Sequence, residues 1–98
     1  MVMIIDVEAL PIAVFPQGAD ATEITGRWAA LMQNLVPVGS KAASGPMEEI
    51  ILSGGEGEIL ANRLGGSHWL LLVLSDKAML GRARHAVSAN SEFLLRKI

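Results

Sequence analysis

The chain has 98 residues, 51% of them apolar, ten acidic against eight basic, and no cysteine. That length allows one domain with a real core, while a net charge of −2 lacks the basic footprint of a nucleic-acid binder and the missing cysteines exclude disulfides and thiolate metal sites. The mean hydropathy of +0.42 is high for a domain with so much surface per residue, and points to apolar surface buried against a partner.

Two apolar runs open the chain, Val2 to Ile5 and Pro11 to Phe15, and read as strands joined by a turn around Asp6 to Ala9. Pro11 has no N–H to donate, so it should begin its strand or place it at a sheet edge. No basic segment precedes the first run and Asp6 and Glu8 interrupt it, so it does not read as a secretory leader. The longest apolar stretch, Trp69 to Leu74, is too short to span a bilayer. The expectation is one soluble, cytoplasmic domain over residues 1–98.

Asp20, with Glu23 three residues on, reads as the cap and capping box of a helix. Ile24, Trp28, Leu31 and Leu35 fall on one face of it, widened by Met32. Thr25, Ala29, Met32 and Val36 form a small, partly apolar flank, and Glu23, Arg27, Ala30 and Asn34 an outward surface. Gly26 is either indifferent or a place where another backbone approaches. Pro37 should end or kink the helix near Val36, with a further turn in "VGSKAASG".

Three strands follow: Met47 to Leu52, Glu58 to Arg63 and Ser67 to Ser75. "SGGEG" joins the first two. "HWLLLVLS" is apolar on both faces, the mark of a central strand. A last helix is capped by Ser75 or Asp76, with Met79, Ala83, Ala86 or Val87, Asn90 and Leu94 along its core side. Arg96 and Lys97 complement its carboxyl end. The order β-β-α-β-β-β-α with short turns predicts an α+β fold: one mostly antiparallel sheet, its two helices on opposite faces or sharing one.

Chemistry is scarce. His68 and His85 lie in different elements, and without cysteines or a close carboxylate pattern they make no metal site. Ser75, Asp76 and His85 assemble a triad only on paper. Glu48 and Glu49 are neighbours on a strand and point apart. Glu56 and Glu58 read as solvated hairpin charges. "SGGEG" precedes no helix and lacks the dipole that would cradle phosphate. The sequence predicts no catalytic residue, cofactor or metal.

"MIIDVEALPIAVF", the capped helix "ADATEITGRWAALMQNL", the strands "MEEIILSGGEGEILANRLGGSHWLLLVLSD" and the helix start "AMLGRARHAV" together resemble the Roadblock/dynein light chain family, nearest its prokaryotic MglB-like branch. The likeness runs from about Met3 to the carboxyl end and rests on order and texture. It implies a five-stranded antiparallel sheet in the order 2-1-5-4-3. It also implies a homodimer in which the Met47–Leu52 strand pairs with its copy into one continuous sheet, through Met47, Glu49 and Ile51, while the long helices meet along Thr25, Ala29, Met32 and Val36. Family members carry a helix before the first strand. The present sequence starts in a strand, which leaves one sheet face under-covered and open to another chain, as in a tetramer.

The function that the resemblance implies is a non-catalytic scaffold or regulator. It would dock a Ras-like small GTPase on Glu23, Arg27, Ala30 and Asn34, as a platform or an activator that repositions the GTPase's own residues. The alternatives are an adaptor that binds a peptide or protein complex regardless of nucleotide state, and a ligand sensor, which needs a sizeable internal pocket.

Overall fold

Side chains alternate across a strand, so the three inner strands of this sheet serve two cores at once. The computed structural model describes residues 1–42, 45–55 and 57–97, with Ser40 and Lys77 described by backbone alone. Glu56 and the Ala43–Ser44 part of "VGSKAASG" therefore lie outside the described residues. Five strands, β1 (Val2–Ile5), β2 (Pro11–Phe15), β3 (Glu49–Ser53), β4 (Glu58–Leu64) and β5 (His68–Leu74), form one sheet. Its order is β2-β1-β5-β4-β3, and each pairing is antiparallel. Helix α1 (Thr22–Ala42) follows β2; a 3-10 turn (Lys77–Met79) leads from β5 into helix α2 (Leu80–Lys97).

The helices take opposite faces. Met3, Ile5, Ile50, Ala61 and Leu71 point to α1 and close around Trp28 and Ala21. Leu60, Leu64 and Leu70 point to α2 and close around Ala83 and Val87. β5 is central and feeds both cores, Leu71 into one and Leu70 into the other. That is why its sequence lacks polar alternation.

Local hydrogen bonds fix the turns. Asp6 Oδ1 accepts the N–H groups of Glu8 (2.9 Å) and Leu10 (3.0 Å), and its carbonyl accepts that of Ala9 (3.0 Å), which holds Ala9 at φ +62°. At the other end of the sheet, Gly54 N–H donates to Gly57 O at 2.8 Å. A Cβ on Gly57 would collide with the Leu74 carbonyl, so this turn needs glycine there.

The structure corrects four local expectations. The capping box does not form: Asp20 Oδ1 accepts Thr22 N–H at 2.9 Å, but Glu23 turns to Arg27, 2.6 Å away. Pro37 does not end the helix, and α1 continues to Ala42. Pro37 is exposed, so the carbonyl it leaves unbonded, on exposed Gln33, stays within reach of water. β3 begins at Glu49 rather than Met47, because Met47 is engaged elsewhere: its thioether lies where Gly39 of α1 has no Cβ, and its carbonyl accepts Arg63 Nη1 at 3.4 Å. Met79 lies in the 3-10 turn and is exposed; Leu80 takes the core position instead.

Candidate functional site

The outward stripe of α1 is a continuous strip of side chains. Residues 23, 27, 30 and 34 recur at steps of three and four, which stacks them on one helix face. All four are exposed. Glu23 and Arg27 form an ion pair across one turn, and Asn34 Nδ2 donates to the carbonyl of Ala30 at 3.3 Å. The strip is thus two polar clusters with the small Ala30 between them, all resting on a helix seated by Trp28. A Cβ on Gly26 would meet nothing within 4 Å, so no backbone of this chain approaches there.

The flank Thr25, Ala29, Met32 and Val36 has a different setting. Thr25 is buried within the chain, and its hydroxyl donates back to Ala21 O at 3.0 Å. Ala29, Met32 and Val36 line a half-open cleft of about 340 Å³ bordered by Trp28, Trp69 and the β1–β2 turn. That turn belongs to the β2 side of the sheet, whereas β3 is the opposite edge. Within the single chain this flank therefore lies away from Glu49 and Ile51 of the β3 edge, while Met47 packs on α1 at Gly39. By helical geometry the other flank of α1, turned away from that cleft, carries Leu31 and Val38, and Val38 is 68% exposed. The sequence signal for Val38 is its place seven residues after Leu31, a signal that goes unused if the helix is ended at Pro37.

The β3 edge is the second element of the site. Its inner side pairs with β4, and among the described residues its outer side has no strand neighbour. Ile51 is 37% exposed and Ile50 is buried under α1. Glu49 faces α2, where Arg84 grips it through Nη2 to Oε1 (3.0 Å) and Nε to Oε2 (3.3 Å). Glu49 thus bonds within the chain as well as standing at the edge.

Several of the chemistry-bearing residues make local contacts. Asp76 Oδ1 accepts Ala78 N–H at 2.9 Å at the start of the 3-10 turn. His68 Nδ1 and Ser67 Oγ lie 2.9 Å apart, while His85 is exposed on α2. Trp69 meets Trp28 edge-on, with centroids 6.0 Å apart, and the Arg63 guanidinium stands 5.8 Å over its ring. Asp20 is held below the ordinary carboxylate range, mainly by the Thr22 backbone N–H and then by its hydroxyl. Among the described residues no group of three or more His, Cys, Asp or Glu converges as a metal site, and no helix is long and apolar enough to cross a membrane.

A five-stranded antiparallel sheet in the order 2-1-5-4-3 with a helix on each face is the Roadblock/MglB-like fold. Myxococcus xanthus MglB superimposes on 97% of this chain and 79% of its own with a TM-score of 0.79 and 16% identity. An MglB described as having a tetrameric arrangement matches 97% of this chain and 74% of its own, with a TM-score of 0.79 and 17% identity. The Roadblock/LC7 domain from Streptomyces avermitilis matches 96% of this chain and 83% of its own, with a TM-score of 0.61 and 18% identity. No family model and no curated protein matches the sequence.

Proposed function

We propose that this chain is a non-catalytic, self-associating scaffold that docks a Ras-like small GTPase on the outer stripe of α1. The observation that carries the reading is the MglB-like fold over nearly the whole chain, with α1 seated by Trp28 and its outer stripe left free. The docking partner itself comes from the Roadblock resemblance. In this reading two copies meet at the β3 edge, where Ile51 is exposed, and α1 brings Leu31 and Val38 to the seam. Pairing two edge strands gives every ladder group on β3 a partner and closes the assembly about a two-fold axis.

Light scattering across a concentration series tests the first half: a dimer or a tetramer supports it, and a monomer at all concentrations refutes it. A pull-down with a purified Ras-like GTPase loaded with GDP or a GTP analogue tests the second. Capture should depend on the nucleotide, and Arg27→Ala with Ala30→Glu should abolish it without changing the mass. Capture that ignores the nucleotide would instead make the chain an adaptor.

A further inference from the structure

The first four charged side chains of the sequence, Asp6, Glu8, Asp20 and Glu23, are all acidic, and no Lys, Arg or His precedes Arg27. Two of the four are engaged at the start of α1: Asp20 accepts the Thr22 N–H, and Glu23 is paired with Arg27. The other two sit on the β1–β2 turn, which brings them to the half-open cleft of about 340 Å³ beside α1. Glu8 is exposed and Asp6 half-buried, and among the described residues they are the only charged side chains lining that cleft.

Asp6 spends one oxygen on the fold and keeps the other. Its Oδ1 accepts the N–H groups of Glu8 and Leu10, which fixes the carboxylate against the cleft. Among the described residues Oδ2 accepts no hydrogen bond, and neither Asp6 nor Glu8 meets a cation. The Arg63 guanidinium over Trp69 does not supply one: it bonds to the carbonyls of Met47 and Gly66 and does not line the cleft. Gln33 apart, the rest of the lining is apolar, with Ile5, Met32 and Val36 beside the two indoles.

We propose that this cleft binds a small organic amine, its ammonium head at Asp6 and Glu8 and its hydrocarbon or aryl body against Met32, Val36 and Trp69. Three features argue for that ligand. The volume lies at the lower end of the range of about 300–1,000 Å³ in which small-molecule sites fall, and an apolar wall with few convergent polar groups is their usual make-up. The charge is of one sign: two carboxylates with no cation beside them repel an anion and attract an ammonium, and indole faces tolerate a cation nearby. The wall is also held in advance, because Trp28 is buried and braced edge-on against Trp69, so little order is lost on binding. The cleft is on the β2 side of α1, turned away from the β3 edge and from the outward stripe. The proposal therefore rests neither on the GTPase reading nor on self-association.

The probe is 4-phenylbutylamine, with 4-phenylbutanol as its uncharged twin. Each is titrated into the whole chain and followed by calorimetry and by the emission of the two cleft tryptophans. The amine should saturate with a dissociation constant of about 1 mM or tighter. At low salt it should bind about fivefold tighter than the alcohol, and that preference should shrink as salt is added. Asp6→Asn with Glu8→Gln keeps an oxygen to accept the turn's N–H groups but removes both charges, and should bring the amine down to the alcohol's affinity. If Asp6→Asn unsettles the turn, Glu8→Gln alone should lower the preference, since the Glu8 side chain makes no bond in the turn. Ala29→Phe should fill the cleft and abolish binding of both probes, and Val36→Phe gives an independent block if Ala29→Phe misfolds. The proposal is overturned by equal affinity for amine and alcohol, by no saturable binding of the amine, or by a preference that survives removal of both charges. Binding that survives both filling variants overturns it too. A capped Ala-Leu-Lys-Leu-Ala peptide binding as tightly as the amine, or more tightly, would assign the cleft to a partner's lysine side chain and overturns the proposal equally.

Discussion

Arg84 and Glu49 join α2 to the edge strand β3 through two parallel bonds, at 3.0 and 3.3 Å. The guanidinium and the carboxylate match as planar forks, which fixes the angle between helix and strand as well as their distance. Both groups retain contact with water, so the pair adds about 0.5 kcal/mol rather than several. A double-mutant cycle of Arg84→Gln and Glu49→Gln, followed by urea unfolding, should give a coupling of that size. It should shrink in 1 M salt.

Pro37 stands in the exposed interior of α1, where it removes one helical hydrogen bond and strains the preceding turn. Pro37→Ala restores the N–H and relieves that strain, against a small loss because the unfolded chain gains freedom. The expected result is a gain of about 1–2 kcal/mol in urea unfolding. A loss of stability would mean that the proline itself helps to seat Gly39 against Met47.

Asp20 contributes through its bond to Thr22, which favours the carboxylate form and lowers its folded pKa below the unfolded value of 3.8. A lowered carboxylate pKa adds stability above the unfolded value, and that part is lost as pH falls through the folded one. Asp20→Asn should keep the helix start but remove this share of the acid sensitivity below about pH 4. Asp20→Ala should lower the melting temperature modestly at neutral pH as well. Thermal melts between pH 2.5 and 7 distinguish the three proteins.

Self-association through β3 predicts sensitivity at Ile51 and Val38, both exposed in the single chain. Ile51→Lys places a charge on the edge, the device by which natural sheets keep their edges solitary. It should reduce the mass to the 10.4 kDa monomer with an unchanged circular dichroism spectrum. Val38→Glu should weaken association without abolishing it, since it leaves the strand edge intact. Unchanged mass in both variants would move the interface away from β3.

The strands were legible in the sequence because each carries its own evidence. Pro11 announced an edge strand, and the unbroken "HWLLLVL" announced a strand between two cores. Trp28 likewise marked the buried side of α1. What stayed hidden depends on contacts between distant residues. A helical wheel shows that α1 has two flanks, but only the place of the β1–β2 turn says which of them faces β3. Met47 looked like strand, since nothing local shows that its side chain is committed to Gly39. Pro37 misled for the opposite reason: the local cost is real, yet packing on either side of it outweighs that cost. The α1 stripe was readable as a surface.

Trp28 belongs to α1 and Trp69 to β5, and they are the chain's two tryptophans. Their edge-on meeting exists only while the helix is docked on the sheet. Two indoles 6.0 Å apart couple their electronic transitions, so near-ultraviolet circular dichroism carries a signal for that one contact. The molecule thus contains its own optical gauge, needing no label, of whether α1 is seated on the sheet.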